Sequence, residues 1–448
     1  MLLANRIMMP GLRLICLLFF AFPIFCFSQE NSPYSRYGIG NLSTPGNVFN
    51  RGMGGVSAGF ADPVTINNSN PASYGNIIYT TLDLGVEYAG RVVQSNDPLG
   101  TFKSNNGIIS YLQVAFPLLS GNKKALANNT GWGLAIGLRP ISKINYKINS
   151  FTRNTIDSVA TLYEGNGGVN EAFVGMGLKL KNFSFGVNTG YLFGAKDYNS
   201  KVLFYDSVYY YNANYDNQTR FGGVFLNTGI QYTIELNKDK KEKRGLLRIG
   251  AYGRLAKDYS ANKDYSVETF NFNGNTGAVD KIDSVYEVLD QKGVVHLPAT
   301  FGAGFTLNKE HVILGADFET TNWNTYRFFG EADQLKNSWT GRVGIQLYPT
   351  PEGSGKYFNN VRYRAGVSFG TDYISPGVDL PLYTITLGGT FPLKVRHSFY
   401  DYQYSFLNLS LEYGKRGNNS INIQENTFKV GVGFTLSDRN WFQRRKFN

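Results

Sequence analysis

From Tyr79 onward the chain alternates between apolar and polar positions. In "SFLNLSLEYG", Leu407, Leu409, Leu411 and Tyr413 interleave with Asn408, Ser410 and Glu412. In "TFKVGVGFTL", Phe428, Val430, Val432, Phe434 and Leu436 interleave with Lys429, Gly431, Gly433 and Thr435. A period of two with one greasy face is the mark of a strand, not a helix. Segments of this kind predict strands near 79–93, 107–118, 131–147, 170–180, 183–196, 221–236, 246–260, 296–308, 311–325, 337–348, 360–373, 382–391, 404–416 and 426–436. The count is fourteen, an even number, and each run is long enough to cross a bilayer when tilted. The two-residue gaps "KN" at 181–182 and "KE" at 309–310 follow even-numbered strands. The longest gaps, 148–169, 197–220 and 261–295, follow odd-numbered ones and are expected to be outer loops. The predicted fold class is an all-β, antiparallel transmembrane barrel.

The apolar set must face lipid, because unpaired polar groups are costly in hydrocarbon. The alternate set then lines the lumen: Asp83, Glu87, Arg91, Arg139, Glu171, Lys179, Glu235, Arg248, Arg254, Asp317, Glu319, Arg342, Arg364, Glu412 and Lys429. Both signs are present in near balance, so the expected lumen is polar and self-pairing instead of a filter for one ion sign. Arginine at outward Val432 or Leu409 is expected to harm the barrel more than arginine at inward Gly433 or Ser410.

Composition agrees with strands. Tyr and Phe contribute 30 and 33 residues and Gly 51, while charged residues make up only 17%. The one continuous apolar run, "LICLLFFAFPIFCF", follows Arg6 and Arg13 and precedes the small Ser28. This reads as a secretory signal over 1–28 and implies export to the outer membrane. The chain's two cysteines, Cys16 and Cys26, lie within it, so the mature chain has no thiol for a disulfide. The formal charge of +11 is spread along the chain and suits anionic lipid surfaces, not nucleic acid. His296, His311 and His397 are isolated, and no nucleophile elbow or phosphate loop is present, so neither an enzyme nor a cofactor or metal is expected. Beyond the last strand, "SDRNWFQRRKFN" (437–448) is a basic, aromatic tail expected in the periplasm; its arginines and Trp441 suit an interfacial anchor or a docking peptide.

Residues 29–78 precede the first strand and include "GMGGVSAGFADPVTINNSNPASYG". Fourteen strands enclose more space than their own side chains fill. Irregular backbone is tolerated at membrane depth only when protein or water surrounds it. The segment is therefore expected to fold into the barrel as a plug.

The glycine-rich "RGMGGVSAGFADP" and the "NNSNPASY" before the first strand resemble the amino-terminal hatch of long-chain fatty-acid transporters of the FadL type. "SPYSRYGIG", "EYGKRG" and "ENTFKVGVGFTLSDRNWFQRRKF" resemble a Bacteroidota branch of that superfamily. The resemblance implies a fourteen-stranded barrel, a hatch shaped by Asn70, Pro71 and Ala72, and mobility at Gly52, Gly54 and Gly55. Lys429, Gly431, Phe434 and Leu436 match the terminal-strand signal read by barrel-assembly machinery, which is the expected partner during biogenesis. Two functions remain open. One is passive uptake of a hydrophobic ligand through the plugged barrel, released sideways through the wall. The other is a non-transporting subunit of an outer-membrane protein secretion or assembly complex, whose tyrosine-rich outer loops (Tyr205, Tyr209, Tyr210, Tyr211, Tyr215) would meet partners.

Overall fold

The computed structural model describes residues 32–96, 99–119, 128–153, 158–205, 210–236, 245–272, 279–349, 356–393, 403–417 and 422–438. The signal over 1–28 and the tail from 439 lie outside them. Among the described residues, fourteen antiparallel strands close a barrel: β1 Thr80–Asn96, β2 Leu99–Pro117, β3 Thr130–Arg153, β4 Ser158–Leu180, β5 Phe183–Phe204, β6 Asn212–Glu235, β7, β8, β9 Val312–Thr321, β10 Ser338–Leu347, β11 Arg362–Thr371, β12 Pro381–Pro392, β13 Gln403–Arg416 and β14 Ile423–Asp438. Strand β7 has two parts, Gly245–Arg254 and Lys257–Phe272, as has β8, Val279–Leu297 and Thr300–Lys309. The ring shuts where β14 pairs with β1, from Asp438 opposite Thr80 to Ile423 opposite Ser95.

Alternation decides facing as the pattern implied. On β13, Leu411 is 43% exposed, whereas its neighbours Ser410 and Glu412 are 0% and 4% exposed. Exposed Val343, Ile385, Leu387 and Phe428 continue the outward apolar band around the wall. Arginine at Val432 is accordingly expected to cost about 2–4 kcal/mol, seen as loss of heat-modifiable folded barrel from the outer membrane. Full yield of that variant would reverse the assigned facing. A milder outcome at Gly433 and Ser410 needs water or a carboxylate nearby; Glu412 lies 3.5 Å from Ser410 Oγ, but the space around both positions is filled. Ser410 is fully buried, and a Cβ at Gly433 would sit 3.1 Å from Val48, so arginine there meets packed protein, not water.

Most of the described residues in the expected long loops are instead strand. β3 and β4 pair through Arg153 and Ser158, β5 and β6 through Val202 and Ala213, and β7 and β8 through Phe272 and Val279. In these stretches the apolar residues do not keep to every second position, so they lack the regular period that marks a membrane strand. They carry the β3–β8 side of the wall well past the ends of β9–β12.

One seam interrupts the ladder. β2 and β3 pair only between Leu112–Pro117 and Gly133–Leu138. Just beyond lies Pro140, which has no N–H to give, and a bulge between Pro140 and Ser142. The seam is not empty: Asn41 and Leu42 pair with Lys143 and Ser142. Ser43 N donates to Ile141 O at 2.9 Å, and Ser32 N to Asn145 O at 3.1 Å.

Candidate functional site

The residues ahead of β1 lie inside the ring. Their path follows from the chain's own local signals. Asn47 caps the short helix Val48–Arg51, accepting from Asn50 N at 2.9 Å. Gly54 and Gly55 turn the backbone through positive φ, 70° and 84°, a region that side chains with a Cβ rarely adopt. Asn70 caps a 3₁₀ turn, Pro71–Asn76, and Pro71 occupies its first position, where a missing N–H costs nothing.

Between Val48 and Gly75 the segment runs around the inner wall and touches strand after strand. Val48 faces Gly431 and Gly433 on β14, Gly52 faces Gly388 on β12, and Gly54 sits between Val343 and Val367 on β10 and β11. Val56 meets Gly315 on β9, Gly59 meets β7 and β8, Pro71 meets Gly177 and Gly186 on β4 and β5, and Gly75 meets Lys179 on β4. A single stretch can touch opposite walls in turn only from within. The contacts are backbone to backbone: a Cβ on Gly388 would fall 2.6 Å from the Gly52 Cα, and one on Gly177 would fall 2.6 Å from Pro71 O. The inward-facing glycines form a belt on which the plug lies.

Polar wall residues pin the belt's occupant. Asp317 on β9 accepts from Ser57 N at 2.6 Å and Ala58 N at 2.8 Å. Thr386 Oγ1 accepts from Gly54 N, and Thr306 Oγ1 donates to Gly59 O. Asn70, buried completely, donates to Ala58 O at 2.7 Å and accepts from Ala72 N at 3.1 Å. Ala72 is likewise fully buried.

The lumen charges named from the sequence fall into paired groups. Glu171 accepts from Arg139 Nε at 2.6 Å and also pairs with Arg254. Arg342 pairs with Glu319 at 3.0 Å, and Glu319 accepts from Tyr252. Glu87 pairs with Arg51 of the plug and with Lys429, and Glu412 is buried on the neighbouring wall. Among the described residues no cation pairs with Asp83; it accepts from Gln113 at 3.1 Å and Thr435 at 3.0 Å. Arg91 pairs with Glu425 at 2.8 Å. Arg248 donates to Ala61 O at 3.0 Å, and Arg364 to Gln346 and Thr390 while lying 3.4 Å from the Phe49 ring centre. Glu235 departs from expectation and is exposed at the end of β6. Of the terminal-strand signal, Lys429 and Gly431 face inward to Glu87 and Val48, while Phe434 and Leu436 alternate to the outward side.

Sequence reading missed the upper closure. Arg416 holds Asp372 at 2.7 Å and Glu425 at 3.1 Å, and Ser32 Oγ donates to Glu425 at 2.6 Å. Tyr34 and Ile39 pack with Trp323, Tyr326, Tyr373 and Leu380 from the segments after β9 and β11. The signal available was "SPYSRYGIG", aromatic and neutral enough for burial. Between this closure and the belt lies a cavity of about 420 Å³, lined by six arginines, among them Arg51, Arg139 and Arg342, and by Glu319, Asp372, Glu412 and Glu425. Among the described residues no cluster of His, Cys, Asp and Glu could hold a metal.

The family model described as BamG matches residues 8–448. Solved structures similar to this chain include the toluene transporter TodX of Pseudomonas putida, at 13% identity over 90% of this chain and 99% of that one, with a TM-score of 0.54. The toluene transporter TbuX of Ralstonia pickettii is 12% identical over 88% and 99%, TM-score 0.51. The monoaromatic hydrocarbon channel CymD is 13% identical over 90% and 98%, TM-score 0.51. No curated sequence matches the chain. At these identities the likeness is one of fold alone: a closed β-barrel like those of these channels.

Proposed function

The chain belongs to the BamG family, and from that premise we propose that it is a closed, non-catalytic barrel subunit of an outer-membrane protein assembly or secretion complex. The family's name points to barrel assembly, and the observation that carries the reading is the seat of the plug. Backbone lies on backbone around the belt, so the segment has no slack in which to shift and open a path. The cavity above it supports the same reading. An apolar molecule entering there would have to strip water and carboxylate partners from buried guanidinium groups without replacing them. Export by the 1–28 signal belongs to the proposal.

A second reading, uptake of hydrophobic molecules, is favoured by the seam between β2 and β3, which offers a sideways exit if Asn41 and Leu42 withdraw. The similar structures, a toluene transporter and a monoaromatic hydrocarbon channel, lend it support.

Affinity purification of the full-length chain from membranes in mild detergent separates the two. The subunit reading expects a stoichiometric complex with at least one other large protein. Recovery of the barrel alone, with measurable uptake of an apolar solute lost on disulfide-locking Asn41 to Lys143, would replace it with the transport reading.

A further inference from the structure

The β3–β8 side of the barrel rises beyond the rest of the wall and ends in an open edge. The last residue of β9, Thr321, lies opposite Thr300. The part of β8 from Val279 to Leu297 therefore continues past the point where its barrel neighbour stops. On one side it pairs with β7. On the other, among the described residues, only Val295 and His296 meet a strand, the two-residue Arg327–Phe328, and Val294 O accepts from Phe329 N. From Lys281 to Gly293 no strand lies beside that second edge. At about 3.3 Å per residue this is roughly 40 Å of ladder available for pairing.

The edge is greasy as well as open. Ile282, Val285, Tyr286 and Leu289 are 44%, 63%, 55% and 64% exposed. They stand above the band in which outward apolar residues meet lipid, so lipid does not cover them. Exposed apolar edges invite uncontrolled pairing, and proteins normally blunt them. Here the pairing with β7 is bulged between Lys281 and Asp283, Ser284 and Tyr286, and Val288 and Gln291. Bulges bend and twist a strand, so this edge cannot template a long flat sheet, yet it can accept one short strand. Lys281 is already paired with Glu268. Against the one remaining cation, Lys292, Asp283, Glu287 and Asp290 give the edge an acidic excess. A second copy pairing antiparallel about Glu287 would set that carboxylate opposite its own copy, which is unfavourable.

We propose that the Lys281–Gly293 edge is a docking site at which a partner protein adds one short extended segment, apolar on alternate residues and basic opposite Asp283 and Glu287. The proposal rests on the subunit reading and names where that subunit is held. Main-chain bonds along the edge would supply affinity, and the apolar and acidic side chains the choice of partner. Tyr210, Tyr211 and Tyr215, exposed on the neighbouring β5–β6 part of the same extension, enlarge the surface.

The test compares the complex purified from membranes with the same chain stripped of partners, by backbone hydrogen exchange. Amides within 281–293 are expected to exchange at least about tenfold more slowly in the complex. Val285→Asp with Leu289→Asp, and separately Asp283→Lys with Glu287→Lys, should each lower partner recovery by about tenfold while the barrel keeps its heat-modifiable mobility. Val378→Asp, at an exposed position in the outer segment between β11 and β12 and off the 281–293 edge, should leave recovery unchanged. A partner recovered in full with both edge variants, or bound without protection of 281–293, overturns the docking site and leaves the subunit reading standing. Protection that appears in the stripped chain and grows with its own concentration overturns it in favour of a second copy. Absence of any partner on the unaltered chain overturns both.

Discussion

Valine at Gly177 and Gly388 together converts a sealed barrel into one that conducts ions. The two glycines lie on β4 and β12, on different sides of the ring, and each supports the plug's backbone. A Cβ on either would come within 2.6 Å of that backbone, Pro71 O in one case and the Gly52 Cα in the other. Such spacing is not relieved by rotating a side chain; the plug or the wall has to move. At Gly177 and Gly388 the wall is held by antiparallel pairing on both sides, whereas the plug at these points is held by packing and a few polar contacts. The plug yields. The strands and their outward faces are unaltered, so the barrel is expected to assemble in near-normal amount. In planar bilayers the double variant should show ion steps where the unaltered chain is nearly silent, and cells bearing it should admit bulky antibiotics. Valine at Gly107, where a Cβ would meet nothing within 4 Å, is the matched control and should stay silent. A silent double variant with normal yield would show that the plug can ride over the added bulk, and the argument against a shifting hatch would fail with it.

Much of the barrel was legible because the bilayer enforces a rule that sequence can display. Where lipid lies outside and water or protein inside, each strand must alternate, and β13 and β14 do so without exception from Leu407 to Leu411 and from Phe428 to Leu436. The strand count and the inward set, including Glu171 and Arg342, follow from that rule. The rule lapses above the membrane. Stretches such as "KVLF" before the β5–β6 turn or "DKIDSVYEVLDQKG" in β8 face water or protein on both sides, so nothing obliges them to alternate, and they read as loops.

The site was legible in kind but not in detail. Glycines before β1 suggested close packing, and Gly52 and Gly54 lie against the backbone of the facing wall. What local sequence does not show is the other wall. Glycine there lets two backbones approach, and Gly388 against Gly52, Gly366 against Gly54 and Gly344 against Met53 sit hundreds of residues away, each looking like an ordinary small inward residue of its own strand. Asn70 and Pro71 were named from the resemblance to a hatch, and the structure shows them as a cap and the first residue of a 3₁₀ turn. Arg416 and Glu425 were missed because their partners, Asp372 and Ser32, are brought together only by closure of the ring.

Glu171→Gln is expected to destabilise the folded barrel by about 3–5 kcal/mol, the cost of leaving buried charge without its counterion. Glu171 is 1% exposed and serves two guanidinium groups, Arg139 from β3 and Arg254 from β7. With the carboxylate gone, the two cations face each other across a neutral amide in a lumen from which bulk water is largely excluded by the plug. Arg254 keeps Asn227, which accepts at 2.6 Å, and Arg139 keeps Asn68 of the plug at 2.9 Å; neither neutral amide oxygen replaces a charge. The strain therefore bears on the plug as well as the wall, because Arg139 holds both. Denaturant titration of the detergent-folded barrel should show the loss, and the variant should also leak ions modestly. Removing one cation restores the charge count, so Glu171→Gln with Arg254→Gln should be more stable than Glu171→Gln alone, although two groups have been lost instead of one. That sign is what separates electrostatics from packing. If the double variant falls by the sum of the two single losses, the triad contributes through shape alone. In that case the mixed charges of the lumen would be tolerated by solvation, and the reading of the lumen as a sealed, self-neutralising interior would have to be abandoned.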